Sequence, residues 1–303
     1  MQEFLHVPYG CTVHGQEEID AVVEVLKTST QLGPNVRAFE EAIADTFAKK
    51  HGVMVNSGTS ALFLAIECMK LPRGSEVITP ALTFATTVSC LVRNGLVPSF
   101  VDVAPGTYCI DVEKIESMIT NNTSAMCIPN LIGNVCDWPA IREIADRHNL
   151  VILEDSADTL AATINGQSTG AFSDISITSF YGSHVINGAG NGGMLCMNDD
   201  AQFTHARLLR SWGRSSSVFG VDESESIENR FNVAVDDIPY DAKFVFEEIG
   251  YQLEPSEISA AFARVQFGKL ERNIALRENH FEQQYAFFEK YGELFELPRQ
   301  LPG

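Results

Sequence analysis

The chain has no C-x-x-C pair, no apolar run long enough to cross a bilayer, and few positive charges. Its seven cysteines stand at 11, 68, 90, 109, 127, 136 and 196. Those spacings support neither a zinc nor an iron–sulfur site, so no metal is expected. An odd, scattered set in a large acidic chain predicts reduced, mostly buried thiols and a cytoplasmic protein. The longest apolar stretches fall short of the roughly 18 residues that a membrane span needs. The opening "MQEFLHVPYG" carries no basic segment followed by an apolar one, so no secretory leader is expected. Lys and Arg total 21 against 40 Asp and Glu, for a formal net charge of −19. That balance excludes nucleic acid or an anionic membrane as the main partner, while local donors can still hold a small anion.

What is present is 303 residues, 45% of them hydrophobic and 20% charged, enough for one large domain and a smaller one. Helical spacing at 16–28 and 35–50, with Asn35 as an N-cap, opens the described pattern. Strands are expected at 53–55, 76–79, 98–101, 125–128, 151–154, 175–179 and 193–197. Helices near 58–70, 84–94, 111–119 and 138–149 alternate with the first five. Nearly continuous apolar strands in such alternation predict an α/β domain with a mainly parallel sheet covered on both faces. A helix at about 199–212 precedes a long loop region over 213–254, and one long helix is expected from about 256 to 291. The expected division is a large domain over 1–250 and, over 251–303, a linking helix with an incomplete small domain.

In open α/β sheets ligands sit beyond the carboxyl ends of the strands, so the polar residues there are read first. "VNSGTSAL" (55–62) puts Ser57, Gly58, Thr59 and Ser60 between a strand and a helix. Such a turn suits a phosphate at a helix N-terminus; it also suits an ordinary N-cap. "VILEDSAD" (151–158) ends a strand in Glu154 and Asp155, where a carboxylate can hold a cationic ring nitrogen or merely face solvent. Ser179 closes the strand in "DISITSF", and Phe84 in "ALTFATT" is placed to lie on a flat ring or to pack in the core. "TSFYGSHVINGAGNGG" (178–193) contains Gly188, Gly190 and Gly193 in G-x-G-x-x-G spacing. A dinucleotide loop requires a helix directly after the glycines. Here "GGMLCMND" reads as a strand, which makes the glycines turn-formers.

Taken in order, "NSGTSAL", "TFATT", "EDSAD" and "SFYGSH" with its following glycines resemble the DegT/DnrJ/EryC1 family of sugar aminotransferases and relatives. The likeness runs from about residue 7 to 292, through "LGPNVRAFEEAIADTF" and "GYQLEPSEISAAFARVQFGKLERN". It implies the aspartate-aminotransferase-like fold type I, a mainly parallel seven-stranded sheet flanked by helices, with a truncated small C-terminal domain. By the same resemblance Gly58, Thr59, Ser60 and Ser179 bind the phosphate of pyridoxal 5′-phosphate (PLP) or pyridoxamine 5′-phosphate (PMP). Phe84 stacks on the ring, Asp155 pairs with the pyridine nitrogen, and Asp158 contacts the ring. Gln252 stands where the family usually has Asn, reaching the phosphate from the neighbouring subunit of a homodimer.

The departure that matters is at His184, where family aminotransferases carry the lysine that binds the cofactor covalently. Imidazole has no primary amine to form that link, but it moves protons near neutral pH. The substitution resembles the branch of PMP-dependent 3-dehydratases acting on nucleotide-linked 4-keto-6-deoxyhexoses, with His184 as base. "IGNVCDW" (132–138), "SWGR" (211–214) and "PYDAKFVFEEIGYQL" (239–253) point the same way. The iron–sulfur subgroup of that branch places cysteines where this chain reads "GRSSSVFG" and "EDSAD", so no cluster is expected. Recharging by an amino donor such as glutamate is expected instead. Two other readings keep the fold: a pseudoenzyme that binds cofactor or nucleotide-sugar, and a sugar aminotransferase.

Overall fold

The computed structural model describes residues 13–219, 230–231 and 233–301. Seven strands form the central sheet: β1 (His51–Val55), β2 (Glu76–Pro80), β3 (Val97–Val101), β4 (Thr123–Pro129), β5 (Val151–Asp155), β8 (Ile175–Ser179) and β9 (Gly193–Met197). Two short strands, β6 (Thr163–Ile164) and β7 (Gln167–Ser168), make a hairpin between β5 and β8. The sheet order is β1-β9-β8-β5-β4-β2-β3. All neighbours pair in parallel except β9, which runs antiparallel to both β1 and β8. The expected mainly parallel, seven-stranded sheet is therefore found, and each of its strands overlaps a predicted one.

The helices are α1 (Gln16–Lys27), α2 (Pro34–Thr46), α3 (Gly58–Cys68), α4 (Ala85–Arg93), α5 (Val112–Ile115), α6 (Trp138–His148), α7 (Asp200–Arg210), α8 (Glu257–Phe267) and α9 (Leu270–Phe288). Strand side chains alternate between two faces, and both faces are apolar. Val53, Val77, Cys127, Leu153 and Leu195 pack with Leu62 and Ala65 of α3. On the opposite face, Ile78, Met126 and Ile152 pack with Trp138, Ile141 and Ala145 of α6. Farther along that face, Met54, Met194 and Cys196 meet Val36, Phe39 and Ile43 of α2. Two-sided burial of this kind is why the strands read as nearly unbroken apolar runs. The six cysteines among the described residues are free and buried; Cys11 lies outside the described residues.

Three expectations are corrected. Helix α2 begins with Gly33 as N-cap and Pro34 at its first position, not at Asn35. Proline suits that place because its missing N–H would have no intrahelical partner. The cap itself comes from afar: buried Glu257 accepts hydrogen bonds from the amides of Gly33 (3.0 Å), Asn35 (2.6 Å) and Val36 (3.2 Å). Second, the single long helix over 256–291 is two helices, interrupted at Gly268 and Lys269. Glycine is a poor helix former, and Lys269 departs from helical geometry with φ −103° and ψ 1°. Third, the 213–254 region contains a hairpin of β10 (Val233–Val235) and β11 (Ile238–Tyr240). Its turn residues Asp236 and Asp237 have φ of 51° and 63°, the left-handed pair that a two-residue hairpin turn demands. Residues 220–229 and 232 of that region lie outside the described residues.

Candidate active site

The carboxyl ends of β1, β2, β4, β5 and β8 bring most of the predicted residues to one edge of the sheet. After β1, Ser57 caps α3 by accepting a hydrogen bond from the Ser60 amide (3.1 Å). The Ser60 hydroxyl donates to Asn56 Oδ1 (2.6 Å) and lies 2.9 Å from the Ser57 hydroxyl. Thr59 is exposed. Gly58 faces Ser179 at the end of β8: a Cβ at position 58 would stand 2.6 Å from Ser179 Cβ and 2.8 Å from its Oγ. The absence of a side chain at 58 thus lets the α3 N-terminus and the second serine approach each other.

Asp155 ends β5, 7% exposed, and accepts hydrogen bonds from the Thr87 hydroxyl (2.9 Å) and the Ala157 amide (3.2 Å). Burial pushes its carboxyl up to about 6, against the opposing pull of those two donors. Thr87 is in turn reached by the Thr83 hydroxyl at 3.1 Å. Between them Phe84, the N-cap of α4, is 74% exposed, so its ring is not part of the core.

The segment after β8 turns back through a hydrogen bond from the His184 amide to the Tyr181 carbonyl (3.0 Å). The Tyr181 and His184 rings meet edge-on, 5.8 Å between centroids. His184 Nε2 stands 3.6 Å from Asp158 Oδ1, while Nδ1 is buried with no hydrogen-bond partner. The other oxygen of Asp158 accepts from the Ile132 amide at 3.1 Å. The glycines beyond are turn-formers, as read from the sequence: Gly190 and Gly192 have φ of 108° and 136°, and β9 starts at Gly193.

Gln252 is exposed, and its side chain makes no hydrogen bond to these residues within the chain. Its backbone is nevertheless close, bridged to Ser211, and the next carbonyl, of Leu253, accepts from the Asn56 amide at 3.0 Å.

Sequence reasoning named Glu154 only as a strand-end carboxylate and missed the donors that surround it. Glu154, fully buried, points to the opposite face from Asp155. It accepts hydrogen bonds from Ser156 (2.7 Å), Thr169 (2.6 Å), Ser173 (3.2 Å) and Ser176 (2.7 Å), with Asn130 Nδ2 at 3.3 Å. A buried carboxylate is tolerable only with such a set of donors. The network ties the ends of β4 and β5 to the start of β8, the strand that carries Ser179 at its far end. Asn130 also accepts from Trp138 Nε1 (3.0 Å) and the Cys136 amide (3.1 Å). These donors are scattered from Asn130 to Ser176, and only their common carboxylate relates them.

A parallel sheet with one antiparallel strand, carrying polar side chains at its carboxyl edge, is the fold type I scaffold of pyridoxal enzymes. Residues 13–300 match the DegT/DnrJ/EryC1/StrS aminotransferase family, to which the chain belongs. It is 34% identical over 274 residues to the dTDP-4-dehydro-2,6-dideoxy-D-glucose 3-dehydratase of Saccharopolyspora spinosa, covering 87% of this chain and 59% of that one. It is 33% identical over 274 residues to the GDP-perosamine synthase of Caulobacter vibrioides, covering 89% of this chain and 67% of that one. The chain thus spans about three fifths to two thirds of the length of these relatives. Among solved structures, the E. coli GDP-4-keto-6-deoxy-D-mannose-3-dehydratase with bound hydrated PLP superposes with a TM-score of 0.85 at 28% identity. That match covers 95% of this chain and 74% of that one. Among the described residues no helix is long and apolar enough to cross a membrane.

Proposed function

We propose that the protein is a PMP/PLP-dependent 3-dehydratase acting on a nucleotide-linked 4-keto-6-deoxyhexose in deoxysugar and lipopolysaccharide biosynthesis. The observation that carries this reading is His184, in the turn after β8 and beside Asp158, in a family whose aminotransferases use lysine there.

The residues present fit a phosphorylated pyridine. The missing side chain at Gly58 brings the Ser179 hydroxyl up to the N-terminus of α3, and a helix N-terminus favours a negative charge. Asp155 is a buried carboxyl held up to about 6 by burial, and a cationic ring nitrogen supplies the counter-charge that it lacks. Gly58, Thr59, Ser60 and Ser179 would hold the phosphate, Phe84 would cover the ring, Asp155 and Asp158 would contact it, and Gln252 would reach the phosphate from the neighbouring subunit. Bound PMP supplies a primary amine for the sugar's C4 ketone and a ring that takes up electrons. His184 would move the proton as the C3 hydroxyl leaves as water, and the cofactor's amine, lost as ammonia with the product, would be restored by an amino donor such as glutamate.

The GDP-perosamine synthase likeness favours an aminotransferase as the second reading. Against it, imidazole cannot make the covalent link that a lysine makes, and Lys243 sits in another segment, beside the β11 hairpin strand. His184→Asn is expected to cut dehydration at least about 100-fold while leaving PMP affinity nearly unchanged. Turnover equal to that of the unaltered protein contradicts the role of His184. His184→Lys is expected to give a borohydride-trapped PLP adduct at position 184, which the unaltered protein lacks.

A further inference from the structure

Asp158 entered the account as a contact to the cofactor ring, but its two oxygens already have distinct neighbours within the chain. Oδ1 stands 3.6 Å from His184 Nε2 and Oδ2 accepts from the Ile132 amide at 3.1 Å. We infer that Asp158 is the positioning residue of His184: anchored by the Ile132 amide, its carboxylate accepts the Nε2 hydrogen and sets the orientation of the imidazole.

Three observations support this. First, a working imidazole is usually oriented by a hydrogen bond at the nitrogen that does not react. Here Nδ1 is buried without any partner in the chain, so with Nε2 held by Asp158 it is Nδ1 that keeps a lone pair free to take up a proton. Among the described residues, Asp158 is the charged group within ion-pair reach. At 3.6 Å it lies a few tenths of an ångström outside hydrogen-bond range, which a small rotation of either side chain closes.

Second, the anchor is strained. Ile132 has φ 53° and ψ 25°, a left-handed conformation that is rare for a β-branched residue. Such strain persists only where the surroundings require it and gathers at functional sites. The Ile132 side chain is 66% exposed, so packing does not account for it. What the turn does is present its N–H to Asp158, with Gly133 continuing the left-handed path at φ 85°.

Third, the anchor is linked to the rest of the site. The neighbouring Thr159 hydroxyl donates to the Asn130 carbonyl (3.1 Å), and Asn130 belongs to the Glu154 network. The 130–133 turn and the 155–159 turn therefore hold one another, and Asp158 is set between that unit and His184.

The kinetic consequence rests on the dehydratase reading; the structural one does not. The test uses cofactor-free protein labelled with 15N-histidine, with His184→Asn identifying the resonance. An imidazole hydrogen on a partly exposed ring exchanges quickly with water unless an acceptor holds it. An Nε2–H signal for His184 is expected in the unaltered protein, absent in Asp158→Leu and Asp158→Ala, and regained in Asp158→Glu. In the dehydration assay Asp158→Leu is expected to lower kcat about 10- to 100-fold with KM for the nucleotide-sugar unchanged, again with partial rescue by Asp158→Glu. A His184 proton found on Nδ1, or an Nε2–H signal that survives Asp158→Leu and Asp158→Ala, overturns the inference. So does full kcat in the folded Asp158→Leu protein. If the signals behave as expected yet the unaltered protein dehydrates nothing, the inference stands and the dehydratase reading falls.

Discussion

Asp155 shows how one side chain is set against the stability of the chain that carries it. Its ordinary value is 3.8, and burial raises it to about 6. Between those values the folded protein keeps a proton that the unfolded chain has lost, so this group makes stability fall as pH rises through that window. Above about pH 6 its full cost is present. Asp155→Asn is therefore expected to stabilise the cofactor-free protein at pH 7 by roughly 1–3 kcal/mol while weakening cofactor binding. Urea unfolding at neutral pH measures the first effect, and a loss of stability there contradicts the assignment. Gly58→Ala is expected to cost about 1–3 kcal/mol by overpacking, because the new methyl displaces Ser179, and to weaken phosphate binding as well. At this scale the sequence revealed the residues whose neighbours in the chain give them away. Asp155 closes an apolar strand, Gly58 sits in a strand-to-helix turn, and His184 replaces an expected lysine. It did not reveal the donors around Glu154 or the roles of Thr87 and Ile132, because their partners are supplied by other strands and turns.

Among the elements, α8 is the point where distant segments are joined. Glu257 at its start caps α2 through three amides, and near its end Gln266 Nε2 donates to Glu18 of α1 at 2.6 Å. Lys269 Nζ, in the break before α9, reaches the same Glu18 oxygen at 2.6 Å. Burial alone would raise the Glu18 carboxyl, but the hydrogen bonds from Lys269, Gly15 and Gln266 bring it down to about 2. With its folded value below its ordinary one of 4.5, Glu18 stabilises the protein fully above that value. The stabilisation is lost as pH falls from there towards about 2. Glu18→Gln is expected to flatten this part of the acid-unfolding curve, and an unchanged curve contradicts the pairing. Glu257→Gln is expected to cost about 1–3 kcal/mol, since an amide nitrogen cannot accept the bonds that the carboxylate accepts. Thermal unfolding measures it. Periodicity found both helices that flank the break, yet it ran through Gly268 because the apolar spacing continues on either side. The Asp236–Asp237 turn went unread for a similar local reason: two aspartates are a less distinctive hairpin signal than Asn-Gly or Asp-Gly.

For the whole molecule, strand order and direction place five strand ends along one edge, and the chain's chemistry gathers there. The sheet was legible because two-sided burial leaves apolar runs, whereas the pairing of β9 against its neighbours is a tertiary result. We propose that two copies complete each other's sites. Phe244, Phe246 and Ile249 are 66%, 57% and 93% exposed in the segment leading to Gln252, and burial against a second copy would cover them. Sedimentation is expected to give twice the 33.3 kDa chain mass, and Ile249→Asp is expected to shift the protein towards monomer; a cofactor-loaded monomer contradicts the shared site. The central claim is that the His184 imidazole serves dehydration where relatives use a lysine for transamination. Mass spectrometry of the sugar product, after incubation with PMP and a nucleotide-linked 4-keto-6-deoxyhexose, tests it most directly. The account predicts a product that has lost its C3 oxygen. A product that keeps that oxygen and carries a new amino group at C4 would contradict it.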